Sequence, residues 1–286
     1  MRYEAPESLE GAVALLAGAT GEARVLAGGT DLLVQMRADV VDPELIVDIK
    51  KIPETRAVTE DNGGWRIGAA VTGAELKEHA RLKRAWPGVV EAANLIGSTQ
   101  VQGRATLGGN LCNGSPAADS VPALIAAGAL ATLAGPKGKR DLPVEDVMLG
   151  PRKLALTKGE IVVSFLLPPR PPRSSDAYLR FIPRTEMDIA VVGAGVSLTL
   201  DGGGTITAAR VSLGAVAARV LLVPEAAQAI IGSRLDKAAQ DRLEAAARTA
   251  CRPIDDKRGT IEFRTDVAAV LARRTALIAL DRARTS

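Results

Sequence analysis

Two short stretches constrain this chain more than any others: Ala27-Gly28-Gly29-Thr30-Asp31 and Thr106-Leu107-Gly108-Gly109-Asn110. In each, an apolar run ends in two adjacent glycines, followed at once by a residue with a polar side chain, Thr30 or Asn110. Paired glycines let a backbone turn its N–H groups toward one point, because no Cβ forbids positive φ or holds a ligand away. Successive N–H groups aimed into a concavity make an anion nest, and the hydroxyl or amide that follows adds a hydrogen bond. Two nests remote in sequence suit a diphosphate, one phosphoryl group each. Charge-assisted hydrogen bonds contribute about 1.5–3 kcal/mol apiece, so three or four offset much of an association cost of about 4–15 kcal/mol. Gly-Gly also punctuates ordinary turns. The repetition of the whole pattern is what points to a ligand.

Composition removes most competing chemistries. A length of 286 residues is comfortable for two domains, and 47% hydrophobic residues place the chain among globular proteins. A net charge of +3, with Arg and Lys scattered among acids, argues against nucleic acid, and 2% aromatics leave no base-stacking platform. Cys112 and Cys251 cannot build a disulfide framework or a four-thiolate metal site. The single histidine, His79, falls in an expected helical run Thr72–Ala85 among Lys77, Arg81 and Lys83, and reads as a surface residue. The N-terminus has no apolar signal region, and no apolar stretch reaches the ~18 residues of a bilayer span. The expected location is the cytoplasm.

Taken in order, Pro6 opens a helix Glu7–Ala17 stopped at Gly18. Strand Arg24–Ala27 delivers the first nest, and Glu44–Lys50 reads as a strand between Pro43 and Pro53. A second unit begins near Thr55, with Trp65–Val71 strand-like and Thr72-x-x-Glu75 a capping box. Pro87 starts a helix through Ile96, ended by Gly97. Ser98–Arg104 then leads into the second nest, and Asp119 or Ser120 caps a helix Val121–Ala127. Strands follow at Leu130–Leu133 and Glu160–Leu167. Pro168-Pro-Arg-Pro-Pro172 with Arg173 can neither join a ladder nor continue a helix and marks the domain boundary. Beyond it come a strand Ala177–Ile182, a hairpin of Val191–Leu200 and Thr205–Leu213, and helices at Pro224–Ile231, Lys237–Cys251 and Val267–Arg282. The expected fold class is α+β, with a domain over residues 1–173 (lobes about 1–54 and 55–173) and a smaller domain of antiparallel sheet plus helices over 174–286.

Two nucleotide motifs fail. Gly193-Ala-Gly195 has Leu198 where a dinucleotide fingerprint needs its third glycine, and it reads better as strand. Gly138-Lys139 is followed by Arg140 and lacks the upstream glycine of a Walker loop. Cys112 has no basic partner near it in sequence and reads as a packed neutral thiol.

Leu26-Ala-Gly-Gly-Thr-Asp-Leu-Leu33, Thr106-Leu-Gly-Gly-Asn-Leu-Cys-Asn-Gly-Ser-Pro-Ala-Ala-Asp119 and Arg184-Thr-Glu-Met-Asp-Ile-Ala190 together resemble the FAD-binding (medium) subunit of molybdenum hydroxylases of the xanthine dehydrogenase and carbon monoxide dehydrogenase type. Asp255-Asp-Lys-Arg-Gly-Thr-Ile-Glu-Phe-Arg264 extends the resemblance to the end of the chain. It implies a two-lobed FAD domain of the vanillyl-alcohol-oxidase type followed by an α+β domain. It also implies that backbone amides of both nests hold the FAD diphosphate, through Leu26, Ala27, Gly28, Gly29, Thr30, Asp31 and Leu32 on one side and Thr106, Leu107, Gly108, Gly109 and Asn110 on the other. By the same resemblance Asp119 contacts the adenosine ribose, Val162 lines the pocket, Arg180 approaches the polar edge of the flavin, and Ile189 belongs to the site. A guanidinium beside the flavin favours its anionic reduced form. The flavin is expected to be non-covalent, since neither His79 nor Cys112 falls at an attachment position of the related oxidases.

The partners so implied are a molybdenum-binding large subunit and a [2Fe-2S] small subunit, as a dimer of heterotrimers. The molybdenum cofactor and the iron–sulfur clusters belong to those subunits. With two cysteines, the chain has no room for the additional cluster some members carry. Met187 stands where xanthine dehydrogenases place an acidic residue beside the flavin, which leaves the electron acceptor open. Two other functions stay in view: a stand-alone FAD-dependent oxidase or reductase, for which Asp31 and Asp188 are the only acid–base candidates near the motifs, and a nucleotide-binding scaffold without redox chemistry.

Overall fold

A computed structural model describes residues 1–286. The first lobe runs β1 (Arg2–Glu4), α1 (Leu9–Gly18), β2 (Ala23–Leu26), α2 (Leu32–Arg37), β3 (Leu45–Asp48) and α3 (Pro53–Arg56). Its sheet is parallel, in the order β1-β3-β2. All four residues of β3 are buried, as the middle strand of a covered parallel sheet requires. The first helix starts later than its proline suggests, because the Ser8 hydroxyl accepts from the Gly11 amide and fixes the cap there. Gly18 is its last residue, not a stop beyond it.

The second lobe comprises β4 (Val58–Asp61), β5 (Gly64–Gly68), α4 (Gly73–Glu78), α5 (Ala80–Ala85), α6 (Pro87–Ala93), α7 (Thr99–Gln102), α8 (Leu107–Cys112), α9 (Ser120–Ala126), β6 (Leu130–Gly135), β7 (Gly138–Pro143), α10 (Val144–Val147), β8 (Met148–Gly150), β9 (Lys153–Leu154) and β10 (Ile161–Leu167). Its main sheet is antiparallel, ordered β4-β5-β10-β6-β7. The Thr72–Glu75 capping box is present. The helix it opens is broken at His79, however, which ends α4 and caps α5 by accepting the Leu82 amide on Nδ1. His79 is also half-buried, its ring edge-on to Trp65 at 5.2 Å, so it is a structural residue and not a free surface one. The helix from Pro87 stops at Ala93, three residues short of Ile96, where the Asn94 amide bonds back to the Val90 and Glu91 carbonyls.

Strand β7 escaped the sequence reading because it is a charged, largely exposed edge strand, Gly-Lys-Arg-Asp-Leu-Pro, with no apolar alternation. The two lobes share a core. Leu9, Leu16, Val47 and Ile52 of the first pack with Ala134, Ile161 and Val163 of the second.

After residues 168–173 come β11 (Ser174–Phe181), β12 (Val192–Leu200), β13 (Ile206–Gly214), β14 (Leu221–Leu222), α11 (Pro224–Gln228), α12 (Lys237–Ala250) and α13 (Ile261–Thr285). The four strands form an antiparallel sheet in sequence order, and Gly193-Ala-Gly195 lies within it. The last helix begins six residues before Val267, since the Thr260 hydroxyl accepts the Phe263 amide and starts it there. No helix is long and apolar enough to cross a membrane.

Candidate functional site

The first glycine loop follows β2 and precedes α2. The amides of Gly28, Gly29, Thr30 and Asp31 meet no acceptor within the protein. Gly28 is buried while Gly29, Thr30 and Asp31 open onto the cavity, so these donors face a ligand or solvent and no protein acceptor. The turn depends on both glycines in different ways. Gly29 has φ +80°, in the left-handed region. Gly28 is required by a close approach, since a Cβ there would stand 2.0 Å from the Arg104 carbonyl oxygen. Lys50 fastens the start of the loop, with Nζ donating to the Ala27 carbonyl at 3.0 Å and pairing with Asp48 at 2.8 Å.

The second loop differs from the expected nest. Leu107-Gly108-Gly109-Asn110 forms the first turn of α8, and neither glycine has positive φ. Its amides are largely spent inside the protein: Gly108 on the Ala69 carbonyl at 3.1 Å, Asn110 on the Thr106 carbonyl at 3.0 Å, and Gly109 on the Thr106 hydroxyl at 3.0 Å. Thr106 keeps an unpartnered amide, while that of Leu107 faces the strand-like bridge to Thr72. The Asn110 side chain is engaged as well, its Oδ1 accepting the Ser120 amide and hydroxyl at 3.0 and 2.7 Å. Asp119 stands at the N-cap of α9, as one of the two expected positions, but its side chain makes no cap hydrogen bond; Asn110 takes the first helical amide instead.

Between the loops lies a cavity of about 420 Å³, within the range of small-molecule sites. Its walls include Ala27, Gly28, Gly29, Thr30, Asp31 and Leu32 from the first loop, Thr106, Gly108 and Gly109 from the second, and Val162 from β10. Leu26 and Leu107 are buried beneath the loops. Two residues that the sequence reading did not place in the site tie the sides together. Asn113 donates to Asp31 Oδ1 at 3.1 Å and accepts from Gln35 Nε2 at 2.9 Å. The sequence held a signal for Asn113: a helix from Leu107 puts it three residues past Asn110. Burial raises the Asp31 carboxyl from its ordinary value and the Thr30 hydroxyl opposes it, although the residue as a whole is exposed. Cys112 also lines the cavity, its thiol pushed up to about 12 by burial.

Asp119 and Arg180, expected at two ends of one ligand, are joined to each other. Arg180 NH1 lies 2.8 Å from Asp119 Oδ2, with both side chains almost fully buried, and the Tyr178 hydroxyl donates to Asp119 Oδ1 at 3.1 Å. They occupy one point at the junction of α9 and β11, so a contact made by one is made beside the other. Burial raises the Asp119 carboxyl to about 6 against the pull of Arg180, and burial with the adjacent carboxylate raises the Tyr178 hydroxyl well above its ordinary value. Ile189 is exposed, in the segment between β11 and β12. That segment is held through Asp188, which pairs with Arg184 at 3.0 Å and Arg258 at 3.5 Å. The hydrogen bond of Arg184 and the Ile189 amide keep the Asp188 carboxyl at about 2.

Comparison with known proteins decides the family. Residues 1–170 match the family described as FAD binding domain in molybdopterin dehydrogenase, and residues 177–279 match CO dehydrogenase flavoprotein C-terminal domain. The chain belongs to this flavoprotein family. It is 34% identical over 272 residues to the carbon monoxide dehydrogenase medium chain of Afipia carboxidovorans, covering 95% of this chain and 94% of that one. It is 30% identical over 274 residues to the xanthine dehydrogenase FAD-binding subunit of Escherichia coli O157:H7, covering 95% and 93%. In three dimensions it matches a chain of the cyanide-inactivated Cu,Mo-CO dehydrogenase with a TM-score of 0.94 at 34% identity, over 99% of this chain and 98% of that one. These relatives are FAD subunits and medium chains of oxidoreductases, and the FAD-binding domain of this flavoprotein is the one that holds both glycine loops.

The late motif of the flavoprotein is structural. Buried Arg264 donates to Asp256 at 2.6 Å and to the Val191 carbonyl at 2.9 Å, which fastens the start of β12 to the turn before α13.

Proposed function

We propose that this chain is the FAD-carrying electron-transfer subunit of a multi-subunit molybdenum hydroxylase, accepting electrons from a [2Fe-2S] small subunit and passing them to an external acceptor. The molybdenum cofactor resides in a large partner subunit, in a dimer of heterotrimers. The observation that carries this reading is the row of four unpartnered amides, Gly28–Asp31, on the wall of a cavity between the two motif loops. It gives a diphosphate the donors it needs, within a fold similar from end to end to known FAD subunits. Residues 1–54 and 55–173 form the two lobes of a vanillyl-alcohol-oxidase-type domain, and 174–286 a separate α+β domain.

Bound FAD supplies a carrier that takes up two electrons and releases them one or two at a time. The residues of the chain hold and insulate it. The first loop binds phosphate with Gly28–Asp31, while the second contributes Thr106 and otherwise braces the first. Leu32 and Val162 give the cavity apolar walls. The Asp119–Arg180 pair joins the two domains outside the lining of this cavity, and with Ile189 it completes the flavin end of the site, where Arg180 offers a fixed guanidinium to developing negative charge. Attachment is non-covalent, because Cys112 is held as a neutral thiol and His79 is packed edge-on to Trp65.

Co-purification with both partner subunits, with flavin, molybdenum and iron in fixed ratio, is the expected result. The isolated flavin-loaded chain should be reduced by the reduced [2Fe-2S] subunit and inert toward organic substrates. Turnover of an organic substrate by that chain at about 1–1000 per second would overturn the reading in favour of a stand-alone oxidase.

A further inference from the structure

A second cavity, of about 460 Å³, is lined by Lys50, Arg56, Ala70, Thr72, Glu75, Gly103 and Arg104. It adjoins the first across a thin wall. Ile49 and Ala69 line the first cavity while their neighbours Lys50 and Ala70 line the second, and the Arg104 backbone that borders the second presses on Gly28 of the first. Six of its seven residues are polar, charged or glycine, and three are cations. Two of those cations are already matched. Arg56 donates to the Ala70 carbonyl and pairs with Glu75, whose carboxylate also accepts the Thr72 amide and hydroxyl at 2.8 and 2.7 Å. Lys50 is bound to Asp48 and the Ala27 carbonyl. The Arg104 guanidinium has no hydrogen bond or ion pair, which leaves the cavity one positive charge in excess.

We infer that this cavity is a second anion site, distinct from the FAD cavity, that takes the phosphate group of a small phosphorylated molecule on Arg104, with Arg56 and Lys50 completing a positive rim. A guanidinium suits the fork of a phosphate better than a monovalent halide. The position also gives binding a consequence. Lys50 holds the Ala27 carbonyl and Arg104 is packed on Gly28, so an anion drawn onto these two cations acts on the loop whose amides hold the flavin diphosphate.

The inference rests on the FAD reading only in that flavin fills the neighbouring cavity during the test. The flavin-loaded chain is titrated calorimetrically with inorganic phosphate at constant ionic strength set with sodium chloride, which separates binding from screening. Saturable one-to-one binding with flavin retained is expected. Arg104→Ala should weaken it about 10- to 100-fold, the loss of one charge-assisted contact. Arg104 is exposed and unpaired, so this variant should fold, and flavin absorbance of the same samples reports the first cavity separately. Three results would overturn the inference: no saturable binding, equal binding by Arg104→Ala, or release of flavin in proportion to phosphate bound. The last would place the phosphate on Gly28–Asp31. A chain that takes up no flavin at all would instead contradict the FAD reading, and phosphate binding that persists there and weakens in Arg104→Ala would still support the second site.

Discussion

Replacing Gly28 by alanine separates the roles of the two glycine loops. A Cβ at Gly28 would stand 2.0 Å from the Arg104 oxygen, 2.8 Å from its carbonyl carbon and 3.3 Å from Ala105 Cα, all backbone atoms. Ordinary contact begins near 3.4 Å, so the loops must part by about 1.4 Å. Neither side yields easily. The Ala27 carbonyl is held by Lys50, and the Arg104 segment by its amide on Val101 and by the Gly73 amide on the Ala105 carbonyl at 2.9 Å. Overpacking of this kind costs about 1–3 kcal/mol, which is a fall of about 2–12 °C in melting temperature for a domain of this size. A displacement above 1 Å also exceeds the tolerance of hydrogen bonds at roughly 2.7–3.2 Å. Loss of two contacts to the diphosphate should weaken FAD about 100-fold or more. Gly109→Ala is the control. It is helical, and its Cβ would meet only the Thr106 hydroxyl at 3.0 Å, so stability and FAD affinity should change little. Gly29→Ala falls between, at about 1–2 kcal/mol for a left-handed alanine. Flavin fluorescence titration and thermal melts of the flavin-free chains measure both quantities. Wild-type affinity and melting in Gly28→Ala, or equal damage from Gly109→Ala, would refute the division of labour.

Asp176→Ala should destabilise the chain by about 3–5 kcal/mol, because this fully buried carboxylate accepts the Val89 amide at 3.1 Å and Arg170 NH2 at 2.8 Å and its removal strands both donors. Denaturant unfolding measures it, and a loss below about 1 kcal/mol would contradict that account. Asp119 supplies a pH dependence. Its carboxyl is raised in the folded chain from 3.8 to about 6, so the folded state holds the proton more tightly than the unfolded. The stability this contributes is complete below the unfolded value and is lost as pH rises through the folded one. The stability of wild type relative to Asp119→Asn should therefore fall between pH 3.8 and about 6 and stay level above. A difference that is flat or rising across that window would refute the assignment.

Much of the fold could be read because its signals are local. The Thr72–Glu75 box and the Asp201-Gly-Gly-Gly204 turn between β12 and β13 each act within a few residues. What escaped was set by contacts remote in sequence. Thr106-Leu-Gly-Gly-Asn and Ala27-Gly-Gly-Thr-Asp share one grammar, yet the first became a helical turn because the Thr106 hydroxyl takes the Gly109 amide and Ala69 takes that of Gly108. Nothing within the motif announces Ala69. In the same way no local pattern shows that Lys50 and Arg104 press on the first loop, or that Asp119 turns from its helix toward Arg180.

The placement of Arg180 follows from the periodicity of a single strand. Along β11, Asp176, Tyr178 and Arg180 alternate with Ala177, Leu179 and Phe181, and successive side chains of a strand point to opposite faces. The apolar set packs into the core of the second domain. The polar set faces the first, where Asp176 takes the Val89 amide and Arg170, the Tyr178 hydroxyl reaches Asp119, and Arg180 pairs with the same carboxylate. Arg170 in turn lies 4.0 Å over the Trp86 ring, and Arg282 of α13 bonds both Glu91 and the Asp176 carbonyl. One strand thus docks the two domains by three side chains in register. A slip of one residue would bury Asp176 and Arg180 in an apolar core and set Leu179 against the polar groups of the first domain, which makes the register strongly specified. The Arg180 guanidinium is fixed by the same contacts that hold the domains together, so its orientation should report domain docking and not the state of a flexible loop.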